Sequence, residues 1–451
     1  MPTALLQRFT NIDRDERLPV FVAGLLFFCV LTALMVLRPA REALGMQRGM
    51  DAIRWLFVGT VVVTLLVNPL FGALVSRLRP MAFIAATYLF FAAGLLGFHA
   101  LLVFAPAAIG TASGQVFYVW FSVFNLFATM LVWALMADRF TAEQSRRLFG
   151  AIAVGGTLGA IFGPWLASLL ARPLGTPALM LVAAGFLVLA VGAAGWLSRL
   201  PRRPGPAHGT DGDGDGDAVN PRPIGGSAWD GLVAVARSPF LLAICGYVLI
   251  LAVMATFLYF TRLQMVAALG SDLDLRTTVF ARIDLITQIA TLVLQALVTG
   301  HLMKRVGVSF TLALLPVTAV LGFLGLAIVG SLAALIVFEA AFRAVQRGVM
   351  RPARETLFTG VSRAERYKAK AFIDTFVYRA GDVVGAQTEG LLGRLGMGLA
   401  ALAAFAVPLA IVWMALGLWL GRTSAAAAIP PAPAGPAGPS PETERIKGVT
   451  A

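Results

Sequence analysis

Five charged residues recur every four positions within one apolar stretch: Glu339, Arg343, Arg347, Arg351 and Glu355. On a helix this spacing makes a single, slowly drifting stripe. Guanidinium forks match the oxygens of carboxylates and phosphates, so a stripe aimed into a cavity would hold an anion. The same residues could instead close on themselves, as Glu339–Arg343 and Arg351–Glu355 pairs at i,i+4 with Arg347 bonded to the next span. Further on, Asp374, Tyr378 and Asp382 share a face, and Arg379 pairs with Asp382 at i,i+3. A carboxylate in such a place can carry a proton or simply neutralise an arginine. Asp284, Gln288 and Gln295 form a third face, with Asp284 either a counter-ion for an arginine elsewhere or a coupling site. Tyr118, Asn125 and Thr129 add polar atoms at helical spacing, as helix-bridging groups or as solute contacts.

The elements that must position these groups follow from composition. The chain has 451 residues, 59% apolar and 13% charged, where soluble domains hold about half and about a quarter. A spanning helix needs about 20 mainly apolar residues. Twelve such runs occur, six between positions 18 and 198 and six between 240 and 420. The first is expected at 18–37, the seventh at 240–261, the tenth at 332–350 and the eleventh at 371–392. The fold class is therefore an all-α integral membrane protein with 12 transmembrane helices in two six-helix halves. The halves are 1–198 and 240–422, joined by a cytoplasmic linker at 199–239 rich in Gly, Pro and charge, and followed by a disordered cytoplasmic tail at 423–451.

An ionisable group at mid-span costs from about 3 to more than 10 kcal/mol unless a cavity or partner receives it. Intramembrane charges are hence the best functional evidence, and by these span boundaries the second half carries nearly all of them. Of the 36 Lys and Arg, 22 fall on the side of the N-terminus and eight on the other. That bias places both termini in the cytoplasm, in the inner membrane of the cell. The net charge of +13 then serves orientation and anionic cargo, and nucleic acid is not expected as a partner.

Two cysteines and three histidines exclude a disulfide scaffold and make a metal centre improbable. No span offers a nucleophile–base pair, and no phosphate loop or cofactor motif occurs, so no enzyme, metal or cofactor is expected. The repeat from Asp211 to Asp217 looks like the start of a calcium loop, but Arg222 stands where the closing glutamate belongs, and it reads as an acidic linker. Residues 363–370 read as a basic surface patch.

The two halves echo each other. Glu42-Ala-Leu-Gly45 returns as Ala267-Ala-Leu-Gly270, Ala73-Leu-Val-Ser76 as Ala296-Leu-Val-Thr299, and Glu143–Gly163 aligns without gaps to Glu365–Gly385, at offsets of 225, 223 and 222. Duplicated six-helix units are expected of a transporter with two rocking halves. The whole pattern resembles the major facilitator superfamily. Gly72-Ala-Leu-Val-Ser-Arg77-Leu-Arg79, its echo from Gly300 to Gly307, and Gly150, Gly159, Gly163 and Pro164 on the fifth span carry the resemblance. Within it, Leu37-Arg-Pro-Ala-Arg41-Glu-Ala-Leu44, Phe117-Tyr-Val, Asn125, Trp133 and Gly155-Gly156-Thr-Leu-Gly159 resemble the ATP/ADP translocase branch, the NTP/NDP exchangers. That branch's lysine falls on Arg41, and Phe121 and Ser122 stand where it carries a glutamate.

The expected function is secondary active transport of a small anionic solute, a nucleotide or another phosphorylated compound, by alternating access. Arg343, Arg347, Arg379, Tyr378, Asn125 and Gln288 are the expected substrate contacts, with Arg41 near the outer surface as a gate contact. Asp284, Glu339, Asp374 and Asp382 are the coupling or counter-charge candidates, and protons or a counter-exchanged anion would drive the cycle as antiporter or symporter. Two other readings stay open: a proton-coupled exporter of amphipathic compounds, and a non-transporting membrane scaffold or sensor that kept the fold.

Overall fold

The computed structural model describes residues 12–75, 80–201, 235–297, 299–358, 369–370, 372–396 and 398–427. The regular elements among them are helices. The first six are α1 (Arg17–Gly45), α2 (Met50–Val75), α3 (Pro80–Phe104), α4 (Ala107–Arg139), α5 (Ala142–Leu174) and α6 (Ala178–Arg199). Then come α7 (Pro239–Ala267), α8 (Leu273–Leu297) and α9 (Thr299–Val329), the last broken at Gly307. α10 begins as Leu332–Val345, passes through a π-helical turn at Gln346–Met350 and ends as Arg351–Leu357. α11 opens on a π-helical turn at Ile373–Val377 and continues as Tyr378–Arg394, and α12 is Leu399–Ala427.

Local chemistry sets several of these boundaries. The Ser238 hydroxyl accepts the Leu241 N–H ahead of Pro239 at the start of α7, Ser331 does the same for α10 through Ala334, and Thr141 and Gln144 cap α5 reciprocally. Gly49, at φ 87°, turns the chain from α1 into α2 in a conformation that a side chain would resist.

Ten helices among the described residues are long and apolar enough to cross a membrane. α10 and α11 are not among them, since their charges interrupt the apolar runs. Two expected boundaries are corrected. α1 does not stop at residue 37: it carries Pro39 inside and runs to Gly45. α7 likewise continues past residue 261 to Ala267. Arg38, Arg41, Glu42 and Arg262 therefore lie within helices rather than in loops, and buried charge is not confined to the second half. The linker, the tail, the Asp211–Asp217 repeat and residues 363–368 lie mostly or wholly outside the described residues.

One hydrophobic core draws its buried residues from positions 20–197 and another from 235–420. Between them α5 and α1 meet α8, and α2 meets α11. Small mixed clusters seal these contacts, such as Ala40, Ala167 and Ala171 with Ala281.

The repeat is visible in backbone packing. Gly155, Gly159 and Gly163 on α5 lie against the α1 backbone at Gly24, Phe28 and Thr32. Their counterparts Gly381 and Gly385 on α11 lie against Leu249, Ala252, Val253 and Thr256 on α7. A Cβ on Gly163 would fall 2.9 Å from the Thr32 carbonyl oxygen, and one on Gly381 would fall 2.9 Å from that of Leu249. Small residues let membrane helices approach where the hydrophobic effect gives no drive. Gly159→Leu is expected to lower the thermal unfolding midpoint in detergent, consistent with overpacking of about 1–3 kcal/mol. Gly192→Leu, at a site with nothing within 4 Å of an added Cβ, should leave the midpoint unchanged.

Candidate functional site

The α7 extension carries Arg262 into the protein, where its side chain is 0% exposed. Its Nη1 lies 3.2 Å from Asp284 Oδ1 on α8 and 3.2 Å from Glu339 Oε1 on α10, and its Nη2 lies 3.6 Å from Glu42 Oε1 on α1. Each carboxylate has a second basic neighbour. Arg41 donates to Glu42 at 3.0 Å, Arg38 Nε stands 3.6 Å from Asp284 Oδ2, and Arg343 Nε donates to Glu339 at 3.2 Å. The Tyr259 hydroxyl also donates to Glu42. Four guanidiniums and three carboxylates from both halves thus form one network, with one positive charge in excess.

The network adjoins a polar seam that joins the halves at the end where α1 turns into α2 and α7 into α8. Arg54 on α2 donates to Glu389 on α11 at 2.7 Å, and Gln264 on α7 donates to the same carboxylate. The hydroxyls of Tyr118 and Tyr259 are 2.9 Å apart. The Thr176 N–H and hydroxyl both donate to Asp274 at 2.7 Å.

Beyond the seam lies a cavity of about 460 Å³ between the halves. Arg38 and Arg41 reach it from α1, Arg343 and Arg347 from α10, and Arg379 from α11, whereas its carboxylates are Glu42 and Asp382. With Arg262, Asp284 and Glu339 of the adjoining network counted, six guanidiniums meet four carboxylates among the described residues, a surplus of two positive charges. Phe57, Phe121 and Tyr259 supply an aromatic wall, and Ser122, Asn125 and Tyr378 supply polar atoms. Arg41 is held firmly: it stacks on the Tyr118 ring at 3.7 Å and donates to the Tyr118 carbonyl and to Ser122. Arg347 donates to Gln288 of α8 at 2.5 Å. Next to this cavity, and sharing Arg343, Arg347 and Tyr378 with it, is another of about 370 Å³ that reaches Arg351, Arg354 and Asp374.

Of the expected site residues, Arg41, Asn125, Arg343, Arg347, Tyr378, Arg379 and Asp382 thus line the central cavity. Gln288 stands behind Arg347, and Asp284 and Glu339 belong to the buried network. Several expected arrangements are corrected. Arg41 lies on the cavity wall within α1, not in a loop beyond it. Glu355 bonds Arg354 at 3.4 Å and Lys370 at 2.5 Å rather than Arg351. Arg347 bonds α8 rather than α11. Asp374 shares the neighbouring cavity with Tyr378, where it lies 3.1 Å from Arg354, and does not reach the central cavity that Asp382 lines. Asp382 accepts from Arg379 at 2.9 Å and from Thr256 at 3.4 Å.

Sequence reasoning gave no role to Glu42, Tyr259, Arg54 or Arg354. Glu42 and Arg354 lie beyond span ends drawn at 37 and 350, whereas Tyr259 and Arg54 have partners on helices far along the chain. For α7 the signal was present: neither glycine nor proline follows Arg262 until position 270, so nothing stops that helix at 261.

The model of a family described as the Major Facilitator Superfamily matches residues 20–350. Among solved structures, a mutant of the nucleoside transporter NupG superposes with a TM-score of 0.60 at 13% identity, over 91% of this chain and 100% of that one. The POT family transporter PepTSo gives a TM-score of 0.59 at 14% identity, over 92% and 99%. At such identities the likeness is one of fold. No curated protein matches the chain by sequence.

Buried ion pairs add little net stability, but breaking one leaves an uncompensated charge. Arg262→Gln is expected to destabilise by about 3–5 kcal/mol, since three carboxylates then face one another. Arg343→Gln should cost only a fraction of that, because Glu339 keeps Arg262. Adding Glu339→Gln to Arg262→Gln should restore part of the loss, as read from unfolding midpoints in detergent.

Proposed function

Because the chain belongs to the Major Facilitator Superfamily, we propose that this multi-pass membrane transporter moves a small anionic solute by alternating access of the central cavity. The observation that carries this reading is the excess of guanidiniums over carboxylates around the cavity between the halves, two positive charges once Arg262, Asp284 and Glu339 of the adjoining network are counted. An excess of positive charge between the halves attracts an anion, and guanidinium forks give its oxygens paired donors.

Arg343 and Arg347 are the principal anion contacts, and Arg41 and Arg379 receive the other side of the solute. Tyr378 and Asn125 provide orienting hydrogen bonds, and Gln288 fixes Arg347. The aromatic wall suits a solute with an apolar or ring-bearing body, which favours an organic phosphate or a nucleotide over a bare inorganic ion. The ATP/ADP translocase resemblance at residues 37–44 points the same way. With both termini in the cytoplasm, the seam formed by Arg54, Glu389, Tyr118 and Tyr259 closes the outer side, and the cavity extends along α10 toward the inner side.

The two halves, 1–198 and 240–422, would rock about the seam. Among the coupling candidates, Asp284, Glu339 and Asp374 already compensate buried arginines. Asp382 faces the cavity beside the half-exposed Arg379, and so is the carboxylate best placed to exchange its arginine for solute or proton. Energy comes from a proton gradient or a counter-exchanged anion.

The test is a thermal-shift screen of purified protein against nucleotides, sugar phosphates, organic acids, peptides and hydrophobic cations, followed by flux in proteoliposomes. Anions should stabilise the wild type, and Arg343→Gln with Arg347→Gln should remove both the stabilisation and the flux. Survival of both after the double change, or stabilisation by hydrophobic cations alone, would reverse the assignment in favour of an exporter of amphipathic compounds. Absence of flux for every solute, with the arginine changes tolerated, would leave a scaffold or sensor.

A further inference from the structure

We propose that the smaller cavity between α10 and α11, which adjoins the central one and shares Arg343 and Arg347 with it, is a second anion site built for a phosphate group. Four guanidiniums, those of Arg343, Arg347, Arg351 and Arg354, border this space of about 370 Å³. The carboxylate facing them is Asp374, which is already committed to Arg354 at 3.1 Å. Arg354 is only 7% exposed, and its Nε has no hydrogen-bond partner. With its Nη groups held by Asp374 and Glu355, Arg354 adds positive potential to the cavity wall.

The backbone maintains this alignment. Residues four apart on an α-helix drift by about 40° per step, so an unbroken helix would carry Arg351 about 80° away from Arg343. The π turn at Gln346–Met350 inserts one residue and takes back about 100°. Arg351 thereby returns to the line of Arg343 and Arg347. The facing helix also has a π turn, at Ile373–Val377, and Asp374 within it borders this cavity. Two such turns on opposing walls of one cavity suit a site with its own geometry. A phosphate fits because it offers several oxygens to donors arriving from different heights along α10, whereas a monocarboxylate would satisfy one fork.

The site stands whatever the central cavity carries, and the two can be separated experimentally. Arg351 borders the smaller cavity and not the central one, and Arg379 the reverse. Inorganic phosphate is titrated calorimetrically into the full chain in phosphatidylcholine nanodiscs. The wild type should take up two phosphates. Arg351→Gln should weaken one of them by about tenfold or more, the scale of one charge-assisted contact, and Arg351→Lys should weaken it less. Arg351 is exposed, so these variants keep the fold, which their unfolding midpoints verify. Arg379→Gln should retain the Arg351-dependent phosphate.

Unchanged binding in Arg351→Gln overturns the second site and leaves the central reading intact. Loss of both phosphates in each variant overturns it too, since that describes one continuous site. Uptake of one phosphate by the wild type, dependent on Arg351 and unaffected by Arg379→Gln, sinks the central reading and leaves this one. Replacing part of the lipid with phosphatidylglycerol distinguishes the source: if the Arg351-dependent uptake disappears only there, the site holds a lipid phosphate, and if it persists, a free one.

Discussion

A fully buried guanidinium has to be met by carboxylates, and in this protein they come from three helices in two halves. Arg262 is the centre of that requirement. Its compensation by Glu42, Asp284 and Glu339 fixes α1, α7, α8 and α10 relative to one another, because each partner must stay within about 4 Å for the burial to be tolerable. The same carboxylates then need Arg38, Arg41 and Arg343 around them, and these three arginines become the edge of the cavity. The polar seam and the charged cavity wall are two sides of one electrostatic arrangement.

Packing provides the frame on which that arrangement is held. The α1–α5 and α7–α11 contacts are made backbone to backbone, through glycines that the internal repeat sets at matching positions. Each half is thereby a stiff body with its own core. Stiff bodies joined by polar contacts at one end suit a rocking motion, since hydrogen bonds and ion pairs can be exchanged for water while a packed apolar core cannot. The π turns in α10 and α11 fall on the wall that carries most of the arginines, where a regular helix would let them drift out of line.

Several features were legible without coordinates. Apolar run lengths gave the helical membrane class, and the offsets near 222 gave the repeat. The four-residue spacing of Glu339, Arg343 and Arg347 was enough to put them on one face, and the cost of charge in lipid was enough to require that this face be covered. Less legible was anything that depended on where a helix stopped. Hydropathy ends a span at its first charge, but a helix ends where its backbone hydrogen bonds lose their partners, so Arg38, Arg41, Glu42 and Arg262 were assigned to loops.

The sequence by itself thus determined the class of molecule, the duplicated plan and the residues too costly to leave in lipid, because these depend on composition and on spacing along one chain. Only the tertiary structure decided which charges neutralise each other and which remain free. Arg262 and Glu42 are 220 positions apart, and Arg54 and Glu389 are 335 apart. No periodicity links such residues, since their pairing is set by which helices pack together and at what height. That choice leaves Arg343, Arg347 and Arg379 facing the cavity, with their charge only partly compensated.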